Sequence, residues 1–363
     1  MKYLIYYTLF LLVIFSLGAC ESKEDQPEFD RTAFLENYAQ NIIQPTAAAL
    51  LSNTEQLATA INAFAANQSA ENLETAQATW DATYRVWMRA NSFNFGPGGS
   101  ERLRRTILEE IGTFPVDVED IEEKIASENP EFDDSKRRTR GLLGLEYLLF
   151  GETDNANVLA GFDKQRIAYL QQLMDKLLAQ VQAFDTAWQG TYANEFITND
   201  GTDVKSAAVQ MFSEFIRSYE AIRDFKLGQP LGVIAGQTKA RPEYVEARFS
   251  KNSLEYAILN YQAIVDLWYG RKADGTDGIG WQEYLLSVEG GQELVADIIA
   301  QFEKIQAAID NLPKDKSLQT LATEGNEVVI NFQEELQELS RFFKSDMSSL
   351  LSLAVTFSII DGD

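Results

Sequence analysis

Apolar residues recur at three- and four-residue intervals along most of this chain, the spacing that places them on one face of an α-helix. The pattern is clearest in residues 253–269 and 326–345. In the first of these segments, Asn252 or Ser253 is positioned to cap the helix, and Gly270 to end it. Further helices are predicted over residues 31–65, 70–92, 116–126, 136–150, 162–190, 203–226 and 291–311. The predicted fold class is therefore all-α.

The chain is longer than one hydrophobic core usually serves, so two domains are expected. The polar, glycine-containing piece around residues 190–203 is the predicted joint, with domains at residues 31–195 and 196–363. Each half holds enough helices for a bundle of about four, packed against the other half. Pro45 lies inside the first predicted helix and is expected to kink or split it.

The N-terminus has the pattern of a processed and lipidated segment. A positive residue, Lys2, precedes an apolar run at residues 4–17 that is too short to cross a bilayer comfortably. Small residues follow the run directly before Cys20, as in a bacterial lipoprotein processing site. We therefore expect a signal peptide at residues 1–19 and a lipidated tether at residues 20–30, with the membrane as a partner. An ordinary signal peptide followed by an incidental cysteine is the alternative.

Composition excludes several kinds of chemistry. The chain has no histidine and only one cysteine, so Ser-His-Asp and Cys-His catalysis are ruled out. The usual histidine-based zinc site is ruled out for the same reason, and no zinc is expected. With 31 basic and 55 acidic residues the formal net charge is −24, which disfavours nucleic acid as a partner.

One carboxylate stands out from its neighbours. Residues 141–151 read Gly-Leu-Leu-Gly-Leu-Glu-Tyr-Leu-Leu-Phe-Gly, and Glu146 is the one charge among them. Burying an ionised carboxylate in such a run is costly unless it is paired or binds a cation. Glu146 is thus either half of a buried ion pair, with Arg85 or Arg140 as its partner, or a ligand-binding or acid–base carboxylate.

An aromatic stripe precedes this segment. Trp80, Tyr84 and Trp87 lie at helical spacing in the predicted helix 70–92. We interpret the stripe as part of the core, because aromatic side chains at this spacing usually pack inside. A ligand groove lined by these rings is the alternative.

The run around Glu146 resembles the motif of the imelysin-like proteins, Gly-x-His-x-x-Glu followed by aromatic and aliphatic residues and a closing Gly. Gly141 and Glu146 match the motif, but Leu143 stands where the family has its His. The resemblance covers nearly all of residues 31–363. Its other fragments are Ile43-Gln44-Pro45, Trp80…Arg85, Phe95-Gly96-Pro97, Phe114-Pro115-Val116-Asp117, Lys226-Leu227-Gly228-Gln229-Pro230-Leu231-Gly232, Glu246-x-x-x-Ser250-x-x-Ser253 and Asp361-Gly362-Asp363.

The resemblance implies two related helical bundles with the motif at their interface. It also implies a bacterial envelope location, here a lipid anchor in the outer membrane with the protein periplasmic or surface-exposed, and an association with iron or haem uptake. Gly141, Glu146 and Arg85 are then the candidate ligand-binding residues. Glu146 is the candidate metal ligand, suited to iron or another hard cation. The cofactor itself stays unknown.

The leading functional hypothesis is a non-enzymatic envelope lipoprotein that binds iron, haem or a related ligand and works with an envelope uptake partner. The family is named for a peptidase activity, so a metal-dependent peptidase that uses only carboxylates is the second hypothesis. The third is a structural or interaction lipoprotein with an inactive site. The absence of histidine and of a second cysteine favours the first hypothesis over the second.

Overall fold

The computed structural model describes residues 29–99, 106–127, 132, 135–151 and 154–355, and every regular element in these ranges is helical. The all-α prediction is confirmed. The helices of the N-terminal half are α1 (Arg31–Glu36), α2 (Gln44–Ala66), α3 (Ala70–Ala90), α4 (Ile107–Ile111), α5 (Val118–Ala126), α6 (Gly141–Phe150), α7 (Asn155–Ala160), α8 (Lys164–Gln189) and α9 (Tyr192–Thr198).

The described residues of the C-terminal half are also arranged in helices. Its helices are α10 (Ala207–Glu220), α11 (Gln229–Leu231), α12 (Ser253–Trp268), α13 (Trp281–Leu286), α14 (Gly291–Asp310), α15 (Leu318–Glu324), α16 (Glu327–Arg341) and α17 (Ser348–Leu351). Three segments are π-helical, namely Asn37–Ile43, Ala221–Gly228 and Phe342–Met347. Short 3₁₀ turns lie at Gly96–Gly98, Arg137–Thr139 and Pro242–Tyr244. Nowhere in the described part of the chain is a helix long and apolar enough to cross a membrane.

Pro45 neither breaks nor separates the first helix. The chain runs from the π-helical segment Asn37–Ile43 straight into α2, and Pro45 sits in the first turn of α2, where a missing N–H is tolerated. Proline cannot donate to the carbonyl of Asn41, four residues earlier. The backbone N–H of Ala273 donates to that carbonyl instead, at 3.0 Å. The helix therefore changes its winding at Gln44 and continues.

The start of α12 differs in detail from its prediction. The helix begins at Ser253, but the side chain of Asn252 does not cap it. The Asn252 amide reaches towards Asp81 instead, at 3.4 Å, and the Ser253 hydroxyl donates to the carbonyl of Ala247 at 3.0 Å. At the other end Gly270 takes a left-handed φ of 59° directly after the helix, as predicted.

Two groups of four long helices provide most of the packing. Helices α2, α3, α6 and α8 pack together, and α10, α12, α14 and α16 form the second group. Helix α3 also packs along α12, which joins the groups. The predicted boundary between residues 195 and 196 falls inside α9, and the chain from residue 31 onward forms one compact unit. The division into two domains stays a prediction.

The first helical turns pack in the second group. The ring of Phe34 lies 4.9 Å from that of Trp281, and the Tyr38 hydroxyl donates to the carbonyl of Leu267. The amide of Asn37 donates to the carbonyl of Gly270 at 2.9 Å. The N-terminal segment therefore fastens the two groups of helices to each other.

Candidate functional site

Helix α6 is buried because its sequence is apolar on every side. Leu142, Leu145 and Leu149 are fully buried. The helix begins at Gly141, whose φ of +73° is a left-handed conformation that favours glycine. A Cβ at Gly141 would lie 2.3 Å from the carbonyl oxygen of Ile111, so a side chain would also clash with that backbone. The motif glycine is thus required by the close approach of two chain segments.

Glu146 sits inside the protein, with only 1% of its surface exposed. Its Oε1 accepts a hydrogen bond of 2.7 Å from the backbone N–H of Ser250. Burial raises the pKa of Glu146 to about 7, and the charge of Glu246 adds to the rise. Hydrogen bonds from Ser250 and from the backbone of Phe249 work against burial. The carboxylate is therefore poised between its charged and neutral forms near neutral pH.

The segment that meets Glu146 is an irregular turn at residues 245–252. Ala247 and Lys251 both have left-handed backbones, with φ of 50° and 66°, which non-glycine residues rarely adopt. The Ser250 hydroxyl donates to the carbonyl of Ala247 at 3.1 Å and reinforces the turn from inside. Glu146 accepts the N–H that this geometry turns inward, so it holds the turn in place.

Glu246, in the same turn, is the centre of a second buried cluster. Its Oε2 lies 2.8 Å from Nζ of Lys226, and its Oε1 accepts a 2.7 Å hydrogen bond from the Tyr84 hydroxyl. Glu246 and Lys226 are 4% and 5% exposed, so water screens the pair little. Burial, followed by the charge of Glu246, raises the pKa of Tyr84, which keeps its hydroxyl a donor. The cluster ties α3, the π-helical segment Ala221–Gly228 and the turn together.

This cluster forms part of the wall of a cleft of about 440 Å³. The cleft lies between α3 and the segment after α4 on one side and the α10–π helix on the other. Its wall includes Trp87, Phe114, Phe225, Lys226, Glu246 and Asn260. A partly open, aromatic-lined cleft with a few fixed polar groups has the character of a small-molecule site.

The two arginines suggested as partners of Glu146 are occupied elsewhere. Arg85 forms ion pairs with Asp81 and Glu255, both at 2.7 Å, with its side chain 36% exposed. Arg140 is buried and pairs with Glu110 at 3.2 Å. The ion-pair interpretation of Glu146 is therefore replaced by one in which backbone and hydroxyl donors hold it. Arg85 faces outward because it lies one residue, about 100° of helix rotation, from the buried Tyr84.

Comparison with known proteins identifies the family to which this fold belongs. The imelysin family model (Peptidase_M75) matches residues 43–341. This chain belongs to the imelysin family. Iron-regulated protein A of Synechococcus elongatus is 21% identical over 316 residues, which cover 84% of this chain and 83% of that protein.

Two crystal structures of imelysin-type proteins share the fold. One, described as a candidate iron-regulated protein A precursor from Parabacteroides distasonis, has a TM-score of 0.72 at 18% identity and covers 92% of this chain and 97% of its own. The other is an imelysin-like protein from Psychrobacter arcticum, with a TM-score of 0.70 at 16% identity, covering 90% of this chain and 97% of its own. At these identities the likeness concerns the fold alone.

In this imelysin the motif residues do not fit a metal centre. Leu143, at the family's His position, is an apolar side chain that is 2% exposed. Glu146 already accepts N–H donors, and its carboxylate neighbour Glu246 is paired with Lys226. Within the described ranges, no group of three or more Asp, Glu or Cys side chains is gathered as a metal would need. The assignment of Glu146 as a metal ligand stays a prediction that this geometry does not favour.

Lys226, Glu246 and Ser250 were visible in the sequence only as fragments of the family resemblance. A signal for Lys226 does exist, because it continues the apolar stripe of Phe212, Ile216, Tyr219 and Ile222 at three- and four-residue steps. A lysine on such a stripe must find a buried partner. Nothing comparable marks Glu246, since an irregular turn has no periodicity to break.

Proposed function

We propose that this imelysin is a non-enzymatic binding protein of the bacterial envelope, which holds iron, haem or a related iron-bearing ligand during uptake. The observation that carries the proposal is the cleft of about 440 Å³ between the two groups of helices, with the buried Lys226–Glu246 pair in its wall. The link to iron comes from the relatives named iron-regulated protein A.

The chemistry of the cleft supports binding over hydrolysis. The two acids in its wall are engaged, Glu246 by Lys226 and Tyr84, and Glu109 by Arg137 and by the backbone N–H of Thr106. A water-activating base would need a carboxylate with an accessible, unshared oxygen. Without histidine or a spare cysteine, the chain lacks two of the residue types that commonly serve as general bases.

Attachment to the outer membrane through Cys20 belongs to the same proposal. Cys20 lies outside the described residues, so its lipidation rests on the sequence pattern alone. Changing Cys20 to Ser should move the protein from the membrane fraction to the soluble fraction. Unaltered partitioning of Cys20→Ser would show that this cysteine carries no anchor.

The binding function is tested on full-length protein purified from membranes of iron-limited cells in mild detergent. Elemental analysis and native mass spectrometry should find iron or an organic iron ligand in a fixed ratio to protein. The same preparation should not cleave a protein substrate such as casein. Hydrolysis that is sensitive to chelator and lost in Glu146→Ala, or an absence of any bound ligand, would overturn the proposal.

A further inference from the structure

The cleft has flat, apolar walls. Trp87, only 1% exposed, and Phe114 line one side, and Phe225, 36% exposed, lines the other. The indole nitrogen of Trp87 borders the wall at Gly112, where a Cβ would lie 2.7 Å from it. Aromatic rings on facing walls favour a planar, largely apolar body, and the volume suits a small organic molecule.

Two cations, Lys226 and Arg217, bring hydrogen-bond donors to the cleft. Lys226 directs Nζ to both oxygens of Glu246, at 2.8 and 3.1 Å, and its next neighbour is the weak acceptor Sδ of Met88 at 3.6 Å. Arg217 uses Nε on Glu214 and Nη2 on the carbonyl of Asn91 and the hydroxyl of Ser218. Nη1 of Arg217 forms no hydrogen bond to any residue that the structure describes.

The hydrogen-bond acceptors Glu246, Asn91 and Asn260 in the cleft wall are already occupied by donors of the protein. Both oxygens of Glu246 are taken by Lys226 and Tyr84. Asn91 and Asn260 bond to each other at 3.1 Å, and Asn260 also donates to the carbonyl of Met88 at 2.8 Å. The Trp87 indole N–H forms no hydrogen bond within the described ranges. The cleft thus holds an arginine and an indole with unused donors, and a lysine whose third donor meets only a thioether.

We propose that this cleft binds an organic anion, a molecule with a planar apolar body and a carboxylate or similar acceptor group that meets Arg217, Lys226 and the Trp87 N–H. The inference rests on the proposed binding function and narrows its ligand to one chemical class. A cationic ligand would meet Arg217 and Lys226, while the two acids in the wall, Glu109 and Glu246, are already paired with Arg137 and Lys226. A charged acceptor gains charge-assisted hydrogen bonds in a partly desolvated site, which a neutral analogue lacks.

Three probes of the same shape isolate the charge: 2-naphthoate, 2-naphthamide and 2-naphthylmethylamine. Binding to the purified full chain is measured by isothermal titration calorimetry. The carboxylate should bind at least about tenfold more tightly than the amide, the advantage expected from one charged hydrogen bond. The amine should bind most weakly of the three.

Variants test which side chains cause the preference for 2-naphthoate. Arg217→Gln combined with Glu214→Gln removes the cation without leaving its buried partner unpaired, so the fold is kept. This double variant should lose most of the preference for 2-naphthoate. Arg341→Gln, in which an exposed arginine that pairs with Asp346 is replaced, is the matched control and should bind like the wild type. Far-ultraviolet circular dichroism confirms that each variant is folded.

Equal binding of the three probes would overturn the anion inference and leave a cleft that selects by shape alone. Binding of 2-naphthoate that is unchanged in the Arg217 and Glu214 double variant would overturn it as well. Failure of all three probes to bind would also refute it, while iron-ligand binding by membrane-purified protein would still stand on its own measurement. The two proposals can therefore fail separately.

Discussion

Glu146 and Glu246 are both almost fully buried, and they belong to two regions that meet at the turn of residues 245–252: Glu146 reaches the turn from α6, and Glu246 is part of the turn. Glu146 is held by neutral donors of the turn, foremost the Ser250 N–H at 2.7 Å. Glu246 is held by a cation and a phenol, Lys226 and Tyr84. The first region fixes the shape of the turn, and the second presents charge to the cleft. The family motif thus marks a residue that positions the wall, and the binding chemistry that we propose lies beside it.

The largest effect should come from breaking the charged region. Lys226→Met leaves Glu246 as a buried, uncompensated carboxylate. Losing one member of a buried pair costs about 3–5 kcal/mol of unfolding free energy. Denaturant titration of the wild type and the variant measures the difference.

The double variant Lys226→Met with Glu246→Gln is the control for that loss. It removes both charges, and the new amide oxygen can still accept from Tyr84, so most of the lost stability should return. A double variant as unstable as Lys226→Met alone would show that packing of the lysine stem, and not charge, holds this wall.

The environment of Glu146 should make the stability of the protein depend on pH. Burial raises the pKa of Glu146 from 4.5 to about 7, so the folded protein binds its proton more tightly than the unfolded chain does. Stability from this group is therefore greatest at low pH and falls as pH rises from about 4.5 to about 7, by an amount on the order of 3 kcal/mol. Glu146→Gln removes this dependence.

Comparison of wild type and Glu146→Gln at several pH values tests this. Between pH 5 and pH 8 the variant should gain stability relative to the wild type. Because no arginine among the described residues is paired with Glu146, the substitution leaves no unpaired buried cation. It should therefore not produce the large loss of stability expected when an ion pair is broken. A stability difference that stays constant with pH would mean that Glu146 is ionised throughout.

A smaller effect on stability should distinguish the role of Glu146 as a hydrogen-bond acceptor from the effect of its charge. Glu146→Ala leaves the Ser250 N–H without its acceptor, whereas Glu146→Gln keeps an oxygen there. The alanine variant should be less stable than the glutamine variant by about 1–3 kcal/mol, the cost of an unsatisfied buried donor. Urea unfolding of the pair at one pH provides the comparison. Equal stabilities would mean that the turn does not depend on Glu146.

The smallest effect is expected at Arg85, the motif-associated residue that lies outside both regions. Its ion pairs with Asp81 and Glu255 are partly solvated, so Arg85→Gln should cost less than about 1 kcal/mol. The exposed Glu123 serves as a reference, because Glu123→Gln should leave the unfolding midpoint unchanged. A loss at Arg85 as large as that at Lys226 would show that solvent does not weaken its ion pairs with Asp81 and Glu255.

Helical periodicity predicted the fold well because each helix buries a continuous stripe of its own sequence. The segment predicted at 253–269 forms the helix Ser253–Trp268, and that at 326–345 forms Glu327–Arg341 followed by the π-helical Phe342–Met347. The continuation of the helix through Pro45 could not be foreseen, because the donor that replaces the proline at the carbonyl of Asn41 comes from Ala273, more than two hundred residues away.

The site was only half predictable. Glu146 was identified because a lone charge in an apolar run has to be buried. Its environment was not, because the Ser250 donor and its neighbour Glu246 come from an irregular turn about a hundred residues further along. Charge suggested Arg85 as a partner for Glu146, whereas the aromatic stripe correctly predicted that its neighbour Tyr84 is buried.

We propose that the Lys226–Glu246 wall, and not Glu146, binds the ligand. The direct test compares the ligand retained by three proteins purified from membranes in parallel: the wild type, Glu146→Gln, and the double variant Lys226→Met with Glu246→Gln. Native mass spectrometry gives the bound fraction of each. We expect Glu146→Gln to retain as much ligand as the wild type, and the double variant to lose its ligand. Loss in Glu146→Gln with full retention in the double variant would contradict it.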